Sequence, residues 1–302
     1  MLVAASAHTW VSQALNGIFA GSIYALFAAG YTLVFGVLDI LNLAHSAVFM
    51  VGAVLAYTFA VTFGLPFVLA LVAATLACAA IGFGIDRVAL RPLRARGAPP
   101  LSALLTTLGL SLVFINLAEV RFGANSRALP ATVALSGSFS LGGIVIPDAK
   151  VATLILSIAL AGGLEVLVRR SRAGRAVRAV AENPRAAQLM GIDVDAVIAW
   201  TLVISSALGA LAGILYGLTQ HDINPFMGRD QIELKGLAVI VLGTMGSVRG
   251  AVVAGYLLGL AEVAALVIFG SSVSFGVAFA ALFLALIAFP NGLFRGQALR
   301  RV

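Results

Sequence analysis

The sequence predicts an all-α polytopic membrane protein with about eight to ten transmembrane helices, some of them short or broken. Composition is the first observation: 61% of the 302 residues are hydrophobic and only 10% are charged, whereas a globular domain carries about 25% charged residues. The second is a series of apolar runs of about 18 residues or more, the length that spans a bilayer. Because the hydrocarbon core offers the backbone no hydrogen-bond partner, such runs are helical. A closed β-barrel is disfavoured, since its strands alternate polar and apolar residues.

The apolar segments follow one another along the whole chain. Those of spanning length are 10–37, 46–63, 66–85, 101–118, 151–168, 197–218, 250–269 and 273–290. A shorter one, 236–247, ends in the sequence GTMGS. The stretch 10–45 allows two readings, one long span with a re-entry or two short spans broken near Gly30. These readings give nine crossings with an outside N-terminus or ten with an inside one.

Basic residues predict the orientation of these segments. Most of the 19 lysines and arginines lie in 87–96, in 169–196 and in the C-terminal tail. The positive-inside rule places these regions in the cytoplasm and the loops 119–150 and 219–235 outside. An odd number of crossings must then separate 235 from the tail, so 236–247 crosses as well. At about 1.5 Å per residue it covers only part of a bilayer about 30 Å thick, and must be enclosed by protein or line a cavity.

Short, glycine-interrupted segments near both ends of the chain allow two readings. Broken helices often mark the transport path of a membrane transporter. Alternatively, glycines let neighbouring helices pack closely, as small residues commonly do in membranes. The residues alone leave both readings open.

Charge, cysteine and histidine content argue against several kinds of site. The net charge of +7 would suggest nucleic acid as a partner of a soluble protein, but here the arginines mark cytoplasmic loops, so no nucleic-acid partner is expected. Cys78 is the only cysteine, which excludes an internal disulfide and a cysteine metal cluster. The 3 histidines lie far apart, and no metal site is predicted. The N-terminus lacks the basic region of a signal peptide, so its apolar stretch is predicted to be a retained span.

One short polar helix is predicted within the apolar chain, in the stretch RAVAENPRAAQLMGID, residues 178–193. Asn183 is a favourable N-cap, because its side-chain oxygen accepts a free backbone N–H. Pro184 follows at the first helical position, where its missing N–H costs nothing. Gly191 adopts the left-handed conformation that ends a helix. The residues between them form roughly two turns.

This predicted helix needs support from outside itself. Ala186, Ala187 and Met190 are predicted to form one small apolar face, with Arg185 and Gln188 elsewhere on the surface. A helix this short is unstable alone in water. It is therefore either a cap that rests on the chain's own transmembrane ends or a docking helix gripped by another protein, and the residues allow both.

The stretch GRAVRAVAENPRAAQLMGIDV resembles the cytoplasmic coupling loop of permease subunits in ABC importers, specifically the branched-chain amino acid permeases of the high-affinity hydrophobic amino acid and amide type. Further blocks resemble the family in the same order, namely 16–53, 90–117, 224–263 and 289–296. The resemblance fits best the smaller of the two paired permeases. Two departures stand out: Ser46 replaces a usual glycine, and GTMGS replaces a usual Gly-Gly pair.

The resemblance implies a single permease domain, 1–302, that forms half of a translocation pathway. Its implied partners are a homologous second permease or a second copy, two cytoplasmic ATPase subunits, an extracytoplasmic solute-binding protein and the lipid bilayer. It implies a bacterial inner membrane, a cytoplasmic C-terminus and no cofactor in this chain, with ATP bound by the partners. The implied cargo is a branched-chain or other hydrophobic amino acid, with urea, short amides or aromatic compounds as alternatives.

Within the coupling loop, 169–196, the resemblance implies that eight residues contact the ATPase subunit. They are Glu182, Asn183, Pro184, Arg185, Ala186, Ala187, Met190 and Gly191. The extracytoplasmic loop 119–150 is either a docking face for a binding protein or a plain surface loop.

Motifs of enzymes and of ion-driven transporters are missing from the sequence. The only lysines, Lys150 and Lys235, do not belong to a P-loop, so no ATPase site is predicted in this chain. HExxH and GxSxG are absent as well, and no catalytic residue is predicted. A secondary transporter would need charged groups in several spans, and the sequence offers few.

Polar residues at membrane depth are the candidates for the translocation path. Glu262 lies well inside 250–269, where it pairs with a basic group, binds the partner permease or meets a substrate amine. Asn42 and His45 lie between two apolar segments, where they line the path, cap helix ends or bond across helices. Glu165 precedes Arg169 by one helical turn, which predicts a structural ion pair.

Overall fold

The computed structural model of the protein describes residues 7–130, 137–141 and 143–270, together with positions 276, 280, 283, 284 and 287. In chain order the helices are α1 (Ala7–Leu38), α2 (Ala44–Tyr57), α3 (Phe67–Ile85), α4 (Arg91–Ala95), α5 (Pro100–Phe122), α6 (Asp148–Arg170), α7 (Arg172–Glu182), α8 (Pro184–Leu189), α9 (Val194–Gln220), α10 (Leu234–Leu242) and α11 (Val248–Phe269). The π-helical turns are Thr58–Thr62, Asp86–Leu90 and Gly228–Glu233. A small antiparallel hairpin pairs β1 (Ser138–Leu141) with β2 (Ile144–Pro147).

The predicted fold class, an all-α polytopic membrane protein, is confirmed. Within the described ranges, 7 helices are long and apolar enough to cross a membrane. Each predicted apolar segment between residues 10 and 269 coincides with a helix, and the short segment 236–247 coincides with α10, which ends at Leu242. The predicted span 273–290, the block 289–296 and the C-terminal tail lie outside the continuously described residues.

Helix α1 decides between the two readings of the N-terminal stretch. It is one continuous helix of 32 residues, so there is no break at Gly30. It packs antiparallel against α11, with Gly17 beside Gly259 and Gly21 beside the backbone of Tyr256. A methyl group on Gly21 would lie 2.8 Å from the Tyr256 Cα atom. This contact supports the packing role of the glycines, because only a residue without a side chain allows such an approach.

The first interrupted crossing consists of residues 39–43 and α2. After α1 ends, residues 39–43 run back along it without helical structure. Helix α2 then begins beside the middle of α1, where the His45 imidazole contacts the Phe27 carbonyl oxygen at 3.2 Å. The non-helical backbone is supported inside the bundle, where the Leu43 amide donates to the Thr107 hydroxyl at 3.3 Å. Non-helical backbone at membrane depth requires such protein partners.

The second interrupted crossing consists of residues 221–242. Helix α9 ends at Gln220, and His221 reverses the chain with φ +54°. The chain then turns back into the bundle, forms the π-helical turn 228–233 and continues as α10. Helix α10 is enclosed by protein, with Ala238, Val239 and Ile240 fully buried. The expectation that 236–247 crosses in a protein-enclosed setting agrees with this geometry.

This second crossing corrects one sequence prediction. The loop 219–235 was expected to lie wholly outside the membrane. Two residues of this loop, Gly228 and Ile232, are instead buried in the bundle, and Gly228 abuts the backbone oxygen of Ser46. The prediction was wrong because hydropathy assigns the polar residues Arg229, Asp230 and Glu233 to a loop, although the helical turn that contains them packs on α2.

Contacts between loops define the two ends of the bundle. At the arginine-rich end, Arg94 contacts Asp195 at 3.1 Å, which joins the region 86–99 to the start of α9. At the opposite end, the Ser126 hydroxyl donates to Asp222 at 2.5 Å. Lys150 donates to Asn16 at 2.7 Å, which places the first turns of α1 at this same opposite end. The regions 87–96 and 169–196 therefore lie at one end, and the loops 119–150 and 219–235 meet at the other.

The described part of the chain passes between these ends through the 7 long helices and through the path that ends in α10. These are eight passages. The further span 273–290, which the reading with nine crossings requires, lies outside the continuously described residues. Helices α1 and α9 form the centre of the bundle, with 83% and 72% of their most apolar windows buried. Helices α5 and α6 lie at the periphery, each with 22% buried.

Candidate functional site

Helices α7 and α8 form a polar hairpin at the arginine-rich end. Helix α7 begins at the N-cap Ser171, whose hydroxyl accepts from the Gly174 amide at 2.8 Å. It buries Val180 completely against the bundle. The sequence prediction missed α7. The signal was present in the N-cap Ser171 followed by Val177 and Val180 at helical spacing, but the arginines among them made the region read as a loop.

Helix α8 has the start and the end that the sequence predicts. The Asn183 side-chain oxygen accepts from the Ala186 amide at 3.0 Å, and Pro184 opens the helix. Gly191 has φ +82° and ends the helix in the left-handed conformation. The Ile192 amide donates to the Ala187 carbonyl oxygen at 3.1 Å, the closing bond of a Schellman motif.

The predicted single apolar face of α8 is wrong. Ala187 is 2% exposed and packs toward Val180 and Ile198, whereas Met190 is 81% exposed. Leu189, beside Met190, is 90% exposed. Met190 is the C-cap of this short helix and lies beyond the turn that packs on the bundle. It therefore does not share the buried surface of Ala187. It therefore rests on the chain through one alanine and presents a leucine–methionine pair outward.

The residues predicted to couple to a partner thus occupy two environments. Ala187 is buried under the hairpin. The other predicted coupling residues are exposed, namely Glu182, Asn183, Pro184, Arg185, Ala186, Met190 and Gly191. The hairpin is tied to α6 by Arg178, which donates to the carbonyl oxygens of Val168 and Arg169.

Glu165 joins two helices near the hairpin. Its carboxylate pairs with Arg169, as the helical spacing predicts, and also with Arg249 at 2.5 Å. Arg249 lies in the first turn of α11, so this carboxylate links the end of α6 to the corner between α10 and α11. The second partner is distant in sequence, and no local pattern indicates it.

His45, predicted as a candidate for the translocation path, lies inside the helix packing. It is 1% exposed. Its ring contacts the Phe27 carbonyl oxygen and the Ser205 hydroxyl, each at 3.2 Å, and stacks on Tyr31. This geometry corresponds to the alternative in which the side chain bonds across helices. Asn42 is also buried, and its side-chain oxygen has no hydrogen-bond partner within the described part of the chain.

Glu262 lies in a polar cluster between α1, α10 and α11. Its carboxylate forms an ion pair with Lys235 at 2.6 Å and accepts from the Tyr24 hydroxyl at 2.7 Å. Lys235 also contacts the Tyr24 hydroxyl at 2.9 Å. The cluster borders a cavity of about 390 Å³ at the end of the bundle where Asn16 and Lys150 lie. Of the alternatives for Glu262, the structure shows pairing with a basic group.

A larger cleft opens beside the second interrupted crossing. It has a volume of about 690 Å³ and lies between α5 and the π-helical turn 228–233. Arg229, Asp230 and Glu233 line one side. The Ser46 hydroxyl donates to the Glu233 carboxylate at 3.2 Å, which joins the turn to the first turn of α2. The sequence prediction did not assign these three charged residues to any site.

Known proteins similar to this chain are permeases. The chain is 35% identical over 295 residues to the "High-affinity branched-chain amino acid transport system permease protein BraD" of Pseudomonas aeruginosa, covering 94% of this chain and 95% of that protein. It is 34% identical over 297 residues to the corresponding protein LivH of Escherichia coli, with the same coverage of 94% and 95%. A probable LivH of Methanocaldococcus jannaschii is 29% identical over 275 residues, covering 87% and 83%.

The family comparison agrees with these relatives. A family model described as "Branched-chain amino acid transport system / permease component" matches residues 13–288. This range includes the polar hairpin, both interrupted crossings and the cleft beside α5. The match covers most of the chain, and the chain therefore belongs to the family of permease components of branched-chain amino acid transport systems.

Proposed function

We propose that the chain forms half of the translocation pathway of an ATP-driven importer and that α8 is the surface gripped by an ATPase subunit. The family assignment establishes a transport permease in a multi-pass membrane protein. The proposal adds which subunit binds ATP and which subunits form the pathway. This chain binds no ATP and no other cofactor, two cytoplasmic ATPase subunits supply the energy, and a homologous permease or a second copy completes the pathway.

The observation that carries the proposal is the exposed Leu189–Met190 pair. These side chains are 90% and 81% exposed at the tip of a helix that is anchored from behind by Ala187. Large apolar side chains presented by a short helix are the usual anchors when a helix docks into a groove. Because buried Ala187 fixes α8 to the bundle, the exposed Leu189 and Met190 form a rigid apolar projection that would fit a cleft on another protein.

A chain of polar contacts connects the α7–α8 hairpin to α6 and α11 and could transmit a movement of the hairpin to the bundle. Arg178 binds it to the end of α6, and Glu165 on α6 pairs with Arg249 at the start of α11. The corner before α11 packs tightly, with Gly243 against Gly250. Closure of an ATPase dimer on ATP binding would displace the hairpin as a rigid body, and this chain of contacts would carry the displacement to α10.

Orientation and location complete the proposal. The arginine-rich end, with the hairpin, faces the cytoplasm of a bacterial cell, and the C-terminus lies on the same side. The chain lies in the inner membrane. The opposite end, with the β1–β2 hairpin, faces an extracytoplasmic solute-binding protein. Among possible cargoes we propose branched-chain or other hydrophobic amino acids, because the relatives' names state branched-chain amino acid transport.

Co-purification tests the proposed grip. The full chain is purified in mild detergent from its native cells or from cells that also express candidate ATPase subunits, and the amount of ATPase bound per permease is measured. We expect Leu189→Asp with Met190→Asp, or the helix-breaking Ala187→Pro, to remove the ATPase. The matched control, Phe139→Asp with Val145→Asp, places the same two charges on exposed apolar residues of the β1–β2 hairpin at the opposite end and should retain the ATPase. If no ATPase accompanies the unmodified chain even after cross-linking, the importer mechanism is wrong and an ion-driven transporter becomes the better explanation.

A further inference from the structure

The cleft beside α5 lies at the middle of the bundle. Leu108, Ser111 and Ile115, from the central turns of α5, form one wall. The opposite wall is the π-helical turn 228–233, which rests on the first turn of α2. Helix α2 itself starts beside the middle of α1. The cleft therefore lies near the middle of the bundle. A bilayer spanned by these helices would have its hydrocarbon core at this level.

Charged side chains face this cleft at that depth. Arg229 and Asp230 are exposed, and Glu233 is half-buried. Among the described residues, neither Arg229 nor Asp230 forms an ion pair within 4.0 Å. Charges at the centre of a bilayer are costly when they face lipid, and such side chains almost always face the bundle interior or a water-filled cavity. Helical turns of the π type are also frequent at functional sites.

The cleft combines a basic side chain, two acidic side chains and an aliphatic wall. Arg229 offers a guanidinium whose paired N–H groups match a carboxylate. Asp230 and Glu233 offer carboxylates that accept from an ammonium group. Leu108, Leu112 and Ile115 supply an aliphatic wall opposite the charges. A volume of about 690 Å³ lies within the range of small-molecule sites.

We propose that this cleft is a binding station for a zwitterion with an aliphatic side chain, within the pathway of the importer proposed above, on which this inference rests. Arg229 holds the carboxylate, Asp230 and Glu233 hold the ammonium group, and the α5 wall contacts the side chain. Ser46 is a positioning residue, because its hydroxyl binds the Glu233 carboxylate from α2. At this position the resembled family usually has glycine. Glycine has no hydroxyl, so a chain with glycine at 46 would not hold the Glu233 carboxylate in this way.

Thiol labelling tests whether the cleft is wet and holds such a ligand. The only cysteine, Cys78, is 0% exposed, so the natural chain supplies an unreactive background. Leu112→Cys is placed in the full chain, expressed with its transport partners, and treated with a charged methanethiosulfonate. We expect labelling that free leucine slows by at least about threefold and that glutamate does not slow, since the acidic side chain would meet the aliphatic wall.

The matched control is Leu76→Cys, in the middle of α3. Leu76 is 64% exposed and Leu112 is 45% exposed, but no charged residue accompanies Leu76 and it should face lipid. We expect no labelling of Leu76→Cys. An unlabelled Leu112→Cys would overturn the water-filled cleft. Labelling that leucine does not slow would overturn the ligand class.

Uptake of leucine by Arg229 variants separates this inference from the importer proposal. We expect Arg229→Gln to lower uptake by about tenfold or more, as loss of a charged hydrogen-bond donor predicts. The ATPase bound per permease should stay unchanged. Arg229→Lys should recover part of the uptake, and Arg121→Gln, an exposed arginine at the end of α5, should leave it unchanged. Normal uptake by Arg229→Gln overturns the station, whereas failure of the unmodified chain to bind an ATPase overturns the importer and leaves the labelling result valid.

Discussion

At the scale of single residues, the interior polar groups are fixed by partners that are distant in sequence. Glu262 is paired with Lys235 and Tyr24, and Glu233 is held by Ser46. Hydropathy flagged Glu262 because it interrupts an apolar run. It gave no signal for Lys235, which stands at the edge of a short run, or for Arg229 and Asp230. The suspicious charge was predictable from the sequence, but its partner was not, because pairing depends on how helices pack.

Removal of one member of the Glu262–Lys235 pair should destabilise the protein. In Glu262→Gln the Lys235 ammonium, whose side chain is 9% exposed, would lose its counter-charge. Breaking a buried pair costs about 3–5 kcal/mol. The 18% exposure of the Glu262 side chain brings the expected cost to the lower end of that range. The measurement is the thermal unfolding midpoint of the purified chain in detergent.

A double substitution tests the cause of that loss. Glu262→Gln combined with Lys235→Met removes both charges and should recover much of the stability, since the cost arises from the unpaired ammonium group. Glu182→Gln, an exposed acid on α7, serves as the control and should leave the midpoint unchanged. A double variant less stable than Glu262→Gln would show that the loss of stability does not come from the unpaired Lys235 ammonium group.

At the scale of helices, the chain combines regular spans with elements whose ends are set by local chemistry. The start of α8 at Asn183 and its end at Gly191 were predictable, because caps are local signals. Helix α7 was missed, since arginines dominate its exposed face. The π-helical turn 228–233 was missed as well, because no sequence period distinguishes it from a loop. Contacts with α2 hold it in place, and those are not encoded in the segment itself.

The end of α8 provides a prediction about coupling. In Gly191→Val a β-branched residue would occupy φ +82°, a conformation that costs about 1–2 kcal/mol for a residue with a side chain. We expect normal insertion into the membrane with reduced uptake and reduced ATPase binding. Gly191→Asn is the matched control, because asparagine tolerates this conformation. Normal uptake by Gly191→Val would show that the shape of this helix end does not matter for coupling.

The packing of α2 on α9 provides a second prediction at this scale. A methyl group on Gly213 would collide with the Phe49 carbonyl oxygen, whereas one on Gly162 of α6 would meet nothing within 4 Å. Gly213→Ala should therefore lower the unfolding midpoint. Gly162→Ala should raise it slightly or leave it unchanged, since alanine favours the helix by up to about 1 kcal/mol. Equal midpoints for the two variants would contradict the close approach of α2 and α9.

At the scale of the whole molecule, hydropathy and charge together predicted which loops share an end. The pairing of Arg94 with Asp195 and of Ser126 with Asp222 agrees with that grouping. What sequence reasoning could not supply is the meeting of the two interrupted crossings at Ser46 and Gly228. Such a meeting joins residues far apart in the chain, and only the folded bundle brings them together.

The orientation of the chain in the membrane is tested by single cysteine substitutions, because the natural Cys78 is buried and should not react. Val145→Cys, on the hairpin at the opposite end, should react with a membrane-impermeant maleimide added to whole cells. Leu189→Cys, at the arginine-rich end, should react only after the cells are permeabilised. Both positions are highly exposed, so access to the reagent depends on the side of the membrane. The reverse pattern would invert the proposed topology and place the hairpin of α7 and α8 away from the ATPase.

The contact between Gly228 and Ser46 has a consequence for how this family diversifies. The backbone of Ser46 fills the space that a side chain at 228 would need. A mutation to any larger residue at 228 is therefore expected to survive in a lineage only when the start of α2 shifts with it. Across relatives a larger residue at 228 should therefore be accompanied by changes in the residues that position the start of α2, although those residues lie far from 228 in sequence. The interrupted crossings would then evolve as one unit, inherited and altered together.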